Sequence, residues 1–301
     1  MTAQTRDATL EVTTTPRPQR TQRSSRAAAG EAHAQPWIYA VLGGGLVVLV
    51  GPFLWMLLGS FRPNRELQQV PPTWLPQHPT LDNYRQLFRL LNFPQFFFNS
   101  ALVAVTITLG NLIFCSMLGY ALAKLRFPGK RTIFALVLGT LMIPGVVTFV
   151  PLFVLVSNLG MANSYPGLIF PFLAGPFGVF LMRQFILGLP DELIQAARVD
   201  GASEFRIFRS VILPLCKPVL ATLGILTFLS SWNQFLWPLV VAQSEDRYTL
   251  PVALAIYSIG EKKADYGLLM AGSVVVVIPV LLVFLALQRH FVRGIAMTGI
   301  K

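Results

Sequence analysis

The chain has 301 residues, of which 54% are hydrophobic and only 12% are charged, and its formal net charge is +11. Soluble domains carry about a quarter charged residues, so this composition excludes an ordinary soluble protein. The basic residues lie at the edges of long apolar runs rather than in one basic domain, which argues against a nucleic-acid-binding protein.

Long stretches without Asp, Glu, Lys or Arg predict membrane-spanning helices, each of which needs about 20 apolar residues. Four stretches hold one helix each, and the stretch 132–182 is long enough for two helices around the turn sequence NLGMANSYPG. The sequence therefore predicts an all-α membrane protein with six transmembrane helices. Their predicted positions are 37–59, 96–123, 132–156, 166–187, 218–241 and 266–288.

Charge orients these helices, because lysine and arginine near the cytoplasm outnumber those on the other side of a membrane. If the N-terminus lies inside, most of the 24 lysines and arginines fall on the cytoplasmic side. We therefore expect both termini to be cytoplasmic.

The polar sequence before the second helix divides into a tail and a loop. Residues 1–36 have almost no large apolar side chains, which predicts a disordered cytoplasmic tail. Residues 37–95 hold the first transmembrane helix and an extracytoplasmic loop. In that loop, LDNYRQLF predicts a short amphipathic helix on the outer membrane surface. Its apolar face would consist of Leu81, Tyr84, Leu87 and Phe88.

Two prolines interrupt the third predicted helix. Pro144 and Pro151 each remove a backbone donor, so we expect this helix to be kinked or broken. Such a break is tolerated at membrane depth where neighbouring helices or a water-filled cavity satisfy the freed carbonyl groups.

Ionisable groups are missing from the predicted spans, apart from Arg183 near the cytoplasmic end of the fourth span, Cys115 and a few tyrosines. Proton-coupled carriers usually bury Asp, Glu or His, so this absence argues against one. The chain also lacks a P-loop, a metal-ligand spacing and any catalytic constellation. We expect no catalytic residue, no metal site and no cofactor bound by this chain.

Polar side chains inside the spans are the candidates for a solute path, although hydrogen bonding between packed helices is the commoner role for any one of them. The best cluster is SWNQFLWPL at 231–239, which sets two amides between two tryptophans, as would suit a sugar. An aromatic belt at the outer interface is the alternative. The candidate path residues are Asn111, Thr148, Ser231, Trp232, Asn233 and Gln234.

A charged stretch at 190–214 separates two apolar runs. A helix is predicted to start at Pro190–Asp191 and to end at Gly201, and a second one to start near Ser203. The first would present a face of small side chains at Leu193, Ala196, Ala197 and Asp200, and the second an apolar stripe of Phe205, Phe208 and Ile212. Such a pair suits an adaptor for a cytosolic partner, or alternatively an amphipathic helix resting on lipid.

The sequence AARVDGASEFRIFRSVILP resembles the loop shared by ABC-importer permeases. In those proteins Glu-Ala-Ala is followed by three residues, Gly, nine residues and Ile-x-Leu-Pro. Here Ala196, Ala197 and Gly201 keep the spacing, and Leu213–Pro214 closes it. The departures are Gln195 for Glu and Val211 for Ile.

More of the chain is similar to the carbohydrate-uptake branch of this family, and in particular to the second permease subunit of maltose-type sugar transporters. The similar blocks include GSFRPNREL, YALAKLRFPGKR, MIPGVVTFVPLF, WNQFLWPL and FVRGIAMTGIK. The resemblance implies a type I ABC importer fold with a core at 96–290, a cytoplasmic tail at 291–301 and an ATPase-coupling loop at 190–214. The coupling residues that it implies are Asp191, Glu192, Gln195, Ala196, Ala197, Asp200, Gly201, Arg206, Leu213 and Pro214.

The resemblance also implies partners and a location. It implies a multi-pass protein of the bacterial inner membrane that pairs with a second six-span permease. Two cytosolic ABC ATPase subunits holding ATP-Mg and an extracytoplasmic solute-binding protein would complete the importer, surrounded by membrane lipid. The expected cargo is a sugar or oligosaccharide. Alternatives are glycerol-phosphate or a polyol on the same machinery, or an ion-coupled secondary carrier.

The six-helix topology can be tested with reporter fusions. A reporter fused after Lys130 should be active in the cytoplasm, and one fused after Glu261 should be active on the opposite side, because an odd number of predicted helices separates these positions. Activity of both reporters in the same compartment would contradict the topology.

Overall fold

The computed structural model describes residues 36–71, 73–90, 92–258 and 265–298, and this part of the chain is helical without β-strands. The predicted tail 1–36 lies outside it except for its last residue. The α-helices are α1 Pro36–Ser60, α2 Asn64–Leu67, α3 Asp82–Leu90, α4 Phe93–Lys124, α5 Lys130–Met142, α6 Gly145–Asn158, α7 Tyr165–Ile169, α8 Pro176–Leu187, α9 Asp191–Val199, α10 Glu204–Ile207, α11 Leu213–Leu215, α12 Lys217–Trp232, α13 Leu236–Val241, α14 Leu250–Ser258 and α15 Tyr266–Thr298.

The chain divides into two units, Met1–Pro52 and Phe53–Lys301. In the described part of the first unit, the apolar side chains of α1 are exposed, as suits contact with lipid. The second unit contains the apolar core and both of the sites described below.

Four single segments in the described residues are long and apolar enough to cross a membrane: Trp37–Ser60, Phe93–Lys124, Tyr165–Leu187 and Tyr266–Ala286. Two bent pairs of helices bring the number to six if each pair forms one span. The predicted all-α membrane fold is therefore confirmed, and the six-helix prediction agrees with the upper count.

The predicted break in the third span occurs at Pro144. Helix α5 ends at Met142, Ile143 is extended (φ −84°, ψ 118°), and α6 leaves at 105° after Pro144. The residue before a proline avoids the helical conformation, which explains the position of the break. Pro151, by contrast, lies inside α6 without ending it.

The predicted fifth helix at 218–241 is not continuous. Helix α12 ends at Trp232, and α13 begins only at Leu236. The chain bends by 80° between the segment Glu204–Leu215 and α12. The apolar character of the run hid the interruption, whereas the bend lies before the run, between Leu215 and Lys217.

Helix α3 also differs from its prediction. Leu87 is fully buried and Asn83 is 5% exposed, whereas Leu81 and Phe88 are each 54% exposed. The Asn83 side-chain amide donates to the carbonyl oxygens of Ser60 and Arg62, at 2.8 and 2.7 Å. Helix α3 is thus held to the segment Ser60–Arg62 by a polar anchor, whereas Leu87 of the predicted apolar face is buried in the same apolar cluster as Leu268 of α15.

Helix α4 is the centre of the bundle and packs against α8 and α12. A Cβ atom at Gly119 would come within 2.7 Å of the Met182 Cβ and 3.0 Å of the Arg183 nitrogen, so α4 and α8 approach closely at this point. Side chains of the 190–214 loop belong to the same apolar cluster. They are Ile194, Ile207, Phe208 and Ile212.

Replacing Gly119 should destabilise the bundle. Gly119→Ala forces α4 and α8 apart, and overpacking of this kind costs about 1–3 kcal/mol. Gly139→Ala is the matched control, because no atom lies within 4 Å of its added Cβ and alanine favours the helix. The melting temperature of the protein in detergent should fall for the first variant and stay equal or rise for the second. Equal melting temperatures would contradict the close packing.

Candidate functional site

A cavity of about 740 Å³ lies between α4, α6, α12 and the segment that joins α7 to α8. Its lining contains hydroxyl, amide, aromatic and aliphatic groups but no Asp, Glu, Lys, Arg or His. The lining residues are Ile107, Asn111, Thr148, Leu152, Pro171, Phe172, Ala174, Gly175, Pro176, Phe177, Gly178, Leu223, Leu226, Thr227, Ser230, Ser231 and Gln234.

An interrupted helix forms one wall of this cavity. Within the span Tyr165–Leu187, α7 ends, a 3₁₀ turn follows at Phe170–Phe172, and α8 starts at Pro176. Pro171 and Pro176 supply no backbone donor, which favours the interruption. Backbone polar groups freed at membrane depth need a partner within the protein.

Asn111 of α4 provides that partner. Its Nδ2 donates to the Phe172 carbonyl oxygen at 2.7 Å, and its Oδ1 accepts from the Gly175 nitrogen at 2.9 Å. Asn111 is only 4% exposed. The side chain therefore joins α4 to the interrupted wall, in addition to contributing to the lining.

Four of the six predicted path residues line the cavity, namely Asn111, Thr148, Ser231 and Gln234. Thr148 comes from the helix after the Pro144 break, whereas Ser231 and Gln234 lie on either side of the end of α12. Polar residues far apart in sequence thus meet around one space. Their role in carrying a solute stays a prediction.

Trp232 and Asn233 do not reach this cavity. Trp232 is 2% exposed, stacks on Phe228 and donates from Nε1 to the Val276 carbonyl oxygen at 3.0 Å. Asn233 donates to the Leu229 carbonyl oxygen of its own helix at 2.9 Å. Successive residues of an α-helix point about 100° apart, so Trp232 points away from the cavity that Ser231 lines.

The aromatic groups of the cavity come instead from Phe172 and Phe177. Sequence reasoning missed both, because the run 166–187 was predicted as an uninterrupted span. The prolines and glycine at Pro171, Gly175 and Pro176 were the signal that could have located this wall.

The loop 190–214 has the predicted helix–turn–helix form. Helix α9 begins at Asp191 and ends before Gly201, whose φ of 77° is the left-handed conformation that glycine favours. Ser203 caps α10, with its Oγ accepting from the Arg206 nitrogen. Among the predicted coupling residues, Ala197 and Leu213 are partly buried and the others are exposed. The exposed ones are Asp191, Glu192, Gln195, Ala196, Asp200, Gly201, Arg206 and Pro214.

The predicted apolar stripe of the second helix needs one correction. Phe208 and Ile212 are buried, but Phe205 is 64% exposed and Ile207 is fully buried in its place. A π-helical turn at Phe208–Ile212 changes the helical repeat, so the spacing expected for an α-helix does not apply.

Polar contacts tie the loop to the end of α4. The Lys124 Nζ donates to Asp191 Oδ1 at 2.5 Å and to the Leu189 carbonyl oxygen at 2.7 Å. The hydrogen bond from Lys124 holds the pKa of the Asp191 carboxyl below its ordinary value. Tyr120 donates to Glu204 Oε2 at 2.6 Å, and Arg198 Nε donates to Glu204 Oε1 at 2.7 Å. The first residue of α9 and the first residue of α10 are thus each hydrogen-bonded to α4.

Metal chemistry has no support in the described residues, which contain no group of three or more His, Cys, Asp or Glu side chains able to hold an ion. The expectation that this chain needs no metal stays a prediction.

Removing the Asn111 side chain should lower the thermal stability of the protein. Asn111→Ala leaves the Phe172 carbonyl and the Gly175 amide without partners, and a buried unpaired group costs about 1–3 kcal/mol. Asn233→Ala is the control, because its amide is exposed and bonds only within α12. Thermal unfolding in detergent should show a lower midpoint for Asn111→Ala alone. A midpoint unchanged by both substitutions would contradict the bracing role.

Comparison with known proteins identifies the family. Residues 115–297 match the family described as binding-protein-dependent transport system inner membrane component. The arabinooligosaccharides transport system permease protein AraQ of Halalkalibacterium halodurans is 42% identical over 84% of this chain and 92% of its own length.

Two further relatives and one solved structure agree with this match. The diacetylchitobiose uptake system permease protein NgcG of Streptomyces coelicolor is 36% identical over 83% of both chains. The sn-glycerol-3-phosphate transport system permease protein UgpE of Salmonella typhi is 34% identical over 83% of this chain and 92% of its own.

The solved structure is a bacterial ABC transporter involved in the import of the acidic polysaccharide alginate. One of its chains superposes with a TM-score of 0.77 and 25% identity, covering 89% of this chain and 98% of the other. The chain therefore belongs to the family of binding-protein-dependent transport system inner membrane components and has the fold of a type I ABC importer permease.

Proposed function

We propose that this chain is one of two permease subunits in an ATP-driven importer and that it carries an uncharged sugar or oligosaccharide across the inner membrane. The observation that carries the proposal is the cavity of about 740 Å³, whose lining offers hydroxyl, amide and aromatic groups and no charged side chain. Hydroxyl and amide groups bind sugar hydroxyls, and aromatic rings pack on sugar C–H faces.

The names of the relatives indicate two possible classes of substrate, oligosaccharides and glycerol-3-phosphate. Two of the relatives are named for oligosaccharides and one for glycerol-3-phosphate. A phosphate monoester carries nearly two negative charges at neutral pH, and a buried charge needs an opposite charge or several donors. Because this lining contains no Lys, Arg or His, it favours an uncharged carbohydrate over glycerol-phosphate or an acidic sugar.

The absence of ionisable groups from the lining also bears on the energy source. An ion-coupled carrier usually places a carboxylate or histidine where the coupling ion binds. We therefore assign energy coupling to two cytosolic ABC ATPases, which would hold the ATP-Mg, since this chain contains no P-loop. By this proposal the chain itself is a transport subunit and not an enzyme.

The loop 190–214 is the proposed seat for the ATPases. Its exposed face carries Ala196, Asp200 and Gly201, and such small side chains let a partner surface approach closely. Gln195, which replaces the usual glutamate, is exposed on the same helix. An exposed ion pair is worth about 0–1 kcal/mol, so its loss at this position leaves docking through a packed surface intact.

A second permease and a binding protein complete the proposed assembly. The family description names binding-protein dependence. A transporter of similar fold has been solved in complex with an alginate pentasaccharide-bound periplasmic protein. The cavity is not enclosed by this chain alone, which leaves room for a sister permease to complete the path.

Reconstitution of the full complex in proteoliposomes tests this function. Vesicles containing both permeases, the ATPases and the binding protein should accumulate an uncharged labelled oligosaccharide when ATP is supplied. Uptake should persist when a protonophore collapses the proton gradient, because the cavity lining contains no carboxylate or histidine that could carry a proton. Labelled glycerol-3-phosphate should not accumulate, and unlabelled glycerol-3-phosphate should not compete.

Vesicles without the ATPases are the control. An imposed ion gradient should drive no uptake in them. Concentrative uptake under that condition would contradict the ATP-driven mechanism, and preferred uptake of glycerol-3-phosphate by the full complex would contradict the assignment of substrate.

A further inference from the structure

We propose that Glu204 is a positioning residue that fastens the 190–214 loop to α4 through Tyr120, so that the loop and the cavity wall move together. This inference rests on the proposed function and names the part of the chain that would transmit the ATP-driven movement. Neither residue belongs to the set that the family resemblance implies for coupling.

One carboxylate joins three elements at this point. Glu204 is the first residue of α10, and its Oε2 accepts a hydrogen bond of 2.6 Å from the hydroxyl of Tyr120 in α4. Its Oε1 accepts a hydrogen bond of 2.7 Å from Nε of Arg198 in α9. Tyr120 is 4% exposed, so its hydroxyl meets the carboxylate at the edge of the buried core.

The geometry of these bonds fits a positioning role better than a stabilising one. The side chains of Arg198 and Glu204 are each 45% exposed, and exposed ion pairs contribute little to stability. The loop is already anchored by its buried apolar side chains. Apolar packing is not directional, however, whereas charge-assisted hydrogen bonds set both distance and orientation. The Glu204 contacts therefore determine where the corner between α9 and α10 sits relative to α4.

Helix α4 contacts the loop at a second point, through Lys124. Lys124 lies four residues beyond Tyr120, and it bonds to Asp191 and to the Leu189 carbonyl at the start of α9. Helix α4 thus holds the loop at the beginning of α9 and at the beginning of α10. Two separated attachments resist rotation as well as displacement.

Helix α4 also reaches the cavity. Asn111 lies nine residues before Tyr120 on the same uninterrupted helix, a distance of about 13 Å at 1.5 Å per residue. Its bonds to Phe172 and Gly175 attach α4 to the interrupted wall. A movement of the loop that carries Tyr120 would therefore carry Asn111 and the cavity wall with it.

The other exit from the loop is an irregular helical segment. After α10 the chain passes through the π-helical turn Phe208–Ile212 and then bends by 80° before α12. A π-turn interrupts the regular α-helical hydrogen bonding, and such turns often occur at functional sites. The loop is thus joined to α4 by directional side-chain bonds and to α12 by an irregular segment, which assigns the transmission of movement to α4.

The experiment compares transport with ATP hydrolysis in the full reconstituted complex. Tyr120→Phe removes only the hydroxyl, and Glu204→Gln keeps the shape of the side chain while removing its charge. Each variant should lower sugar uptake about three- to tenfold, with binding-protein-stimulated ATP hydrolysis changed by less than about twofold. The number of ATP molecules hydrolysed per sugar should therefore rise. The double variant should be no worse than the stronger single variant, because both substitutions break the same connection.

Two substitutions in α3 serve as matched controls. Tyr84→Phe also removes a hydrogen-bonded hydroxyl, which lies 2.8 Å from the Ser60 Oγ. Asp82→Asn removes one member of an exposed ion pair with Arg85, as Glu204→Gln does with Arg198. Neither residue touches the loop or the cavity, so the ratio of ATP hydrolysed to sugar transported should match that of the unmodified complex.

The outcomes separate this inference from the proposed function. Absence of ATP-dependent sugar uptake by the unmodified complex would overturn the proposed function. Coupled uptake by that complex, with an unchanged ratio in the Tyr120 and Glu204 variants, would overturn only the positioning role. In a third outcome, the variants lower sugar uptake and ATP hydrolysis in equal proportion, in line with a lower yield of assembled complex. That result would also overturn the positioning role, since it indicates a purely structural contact.

Discussion

The need to satisfy every backbone polar group inside a membrane is the constraint on which the rest of this structure depends. An interrupted helix creates unpaired carbonyl and amide groups, and lipid offers them no partner. Asn111 meets two of these needs with one side chain, as it accepts from Gly175 and donates to Phe172. Because Asn111 supplies these two hydrogen bonds, the helix can stay interrupted between α7 and α8. The cavity lies beside this interruption. The polar character of the site is in this sense a consequence of the break.

The organisation of the apolar runs was readable from the sequence, because length and lack of charge are sufficient to place a membrane helix. The break at Pro144 and the left-handed turn at Gly201 were also predictable, since each depends on the backbone preference of a single residue. Such features are local, and they hold whatever the tertiary contacts turn out to be.

The missed features all depend on the register of side chains within apolar or irregular segments. Trp232 and Ser231 are neighbours in sequence, but only Ser231 faces the cavity, because successive residues of a helix point about 100° apart. Ile207 is buried and Phe205 is exposed, contrary to the prediction, because a π-turn changes the helical repeat. In α3 the burial of Asn83 depended on carbonyl groups of another segment. Distant contacts of this kind leave no periodic trace in the sequence.

The uncharged lining of the cavity has an electrical consequence. Moving one elementary charge through a membrane potential of 100 mV involves about 2.3 kcal/mol. A neutral solute moves no charge through that potential, and the cavity lining described here carries none. The free energy of ATP would then act on the concentration gradient alone, and the free energy needed for uptake would not depend on membrane voltage. A cell could keep importing such a solute while its membrane potential rises or falls.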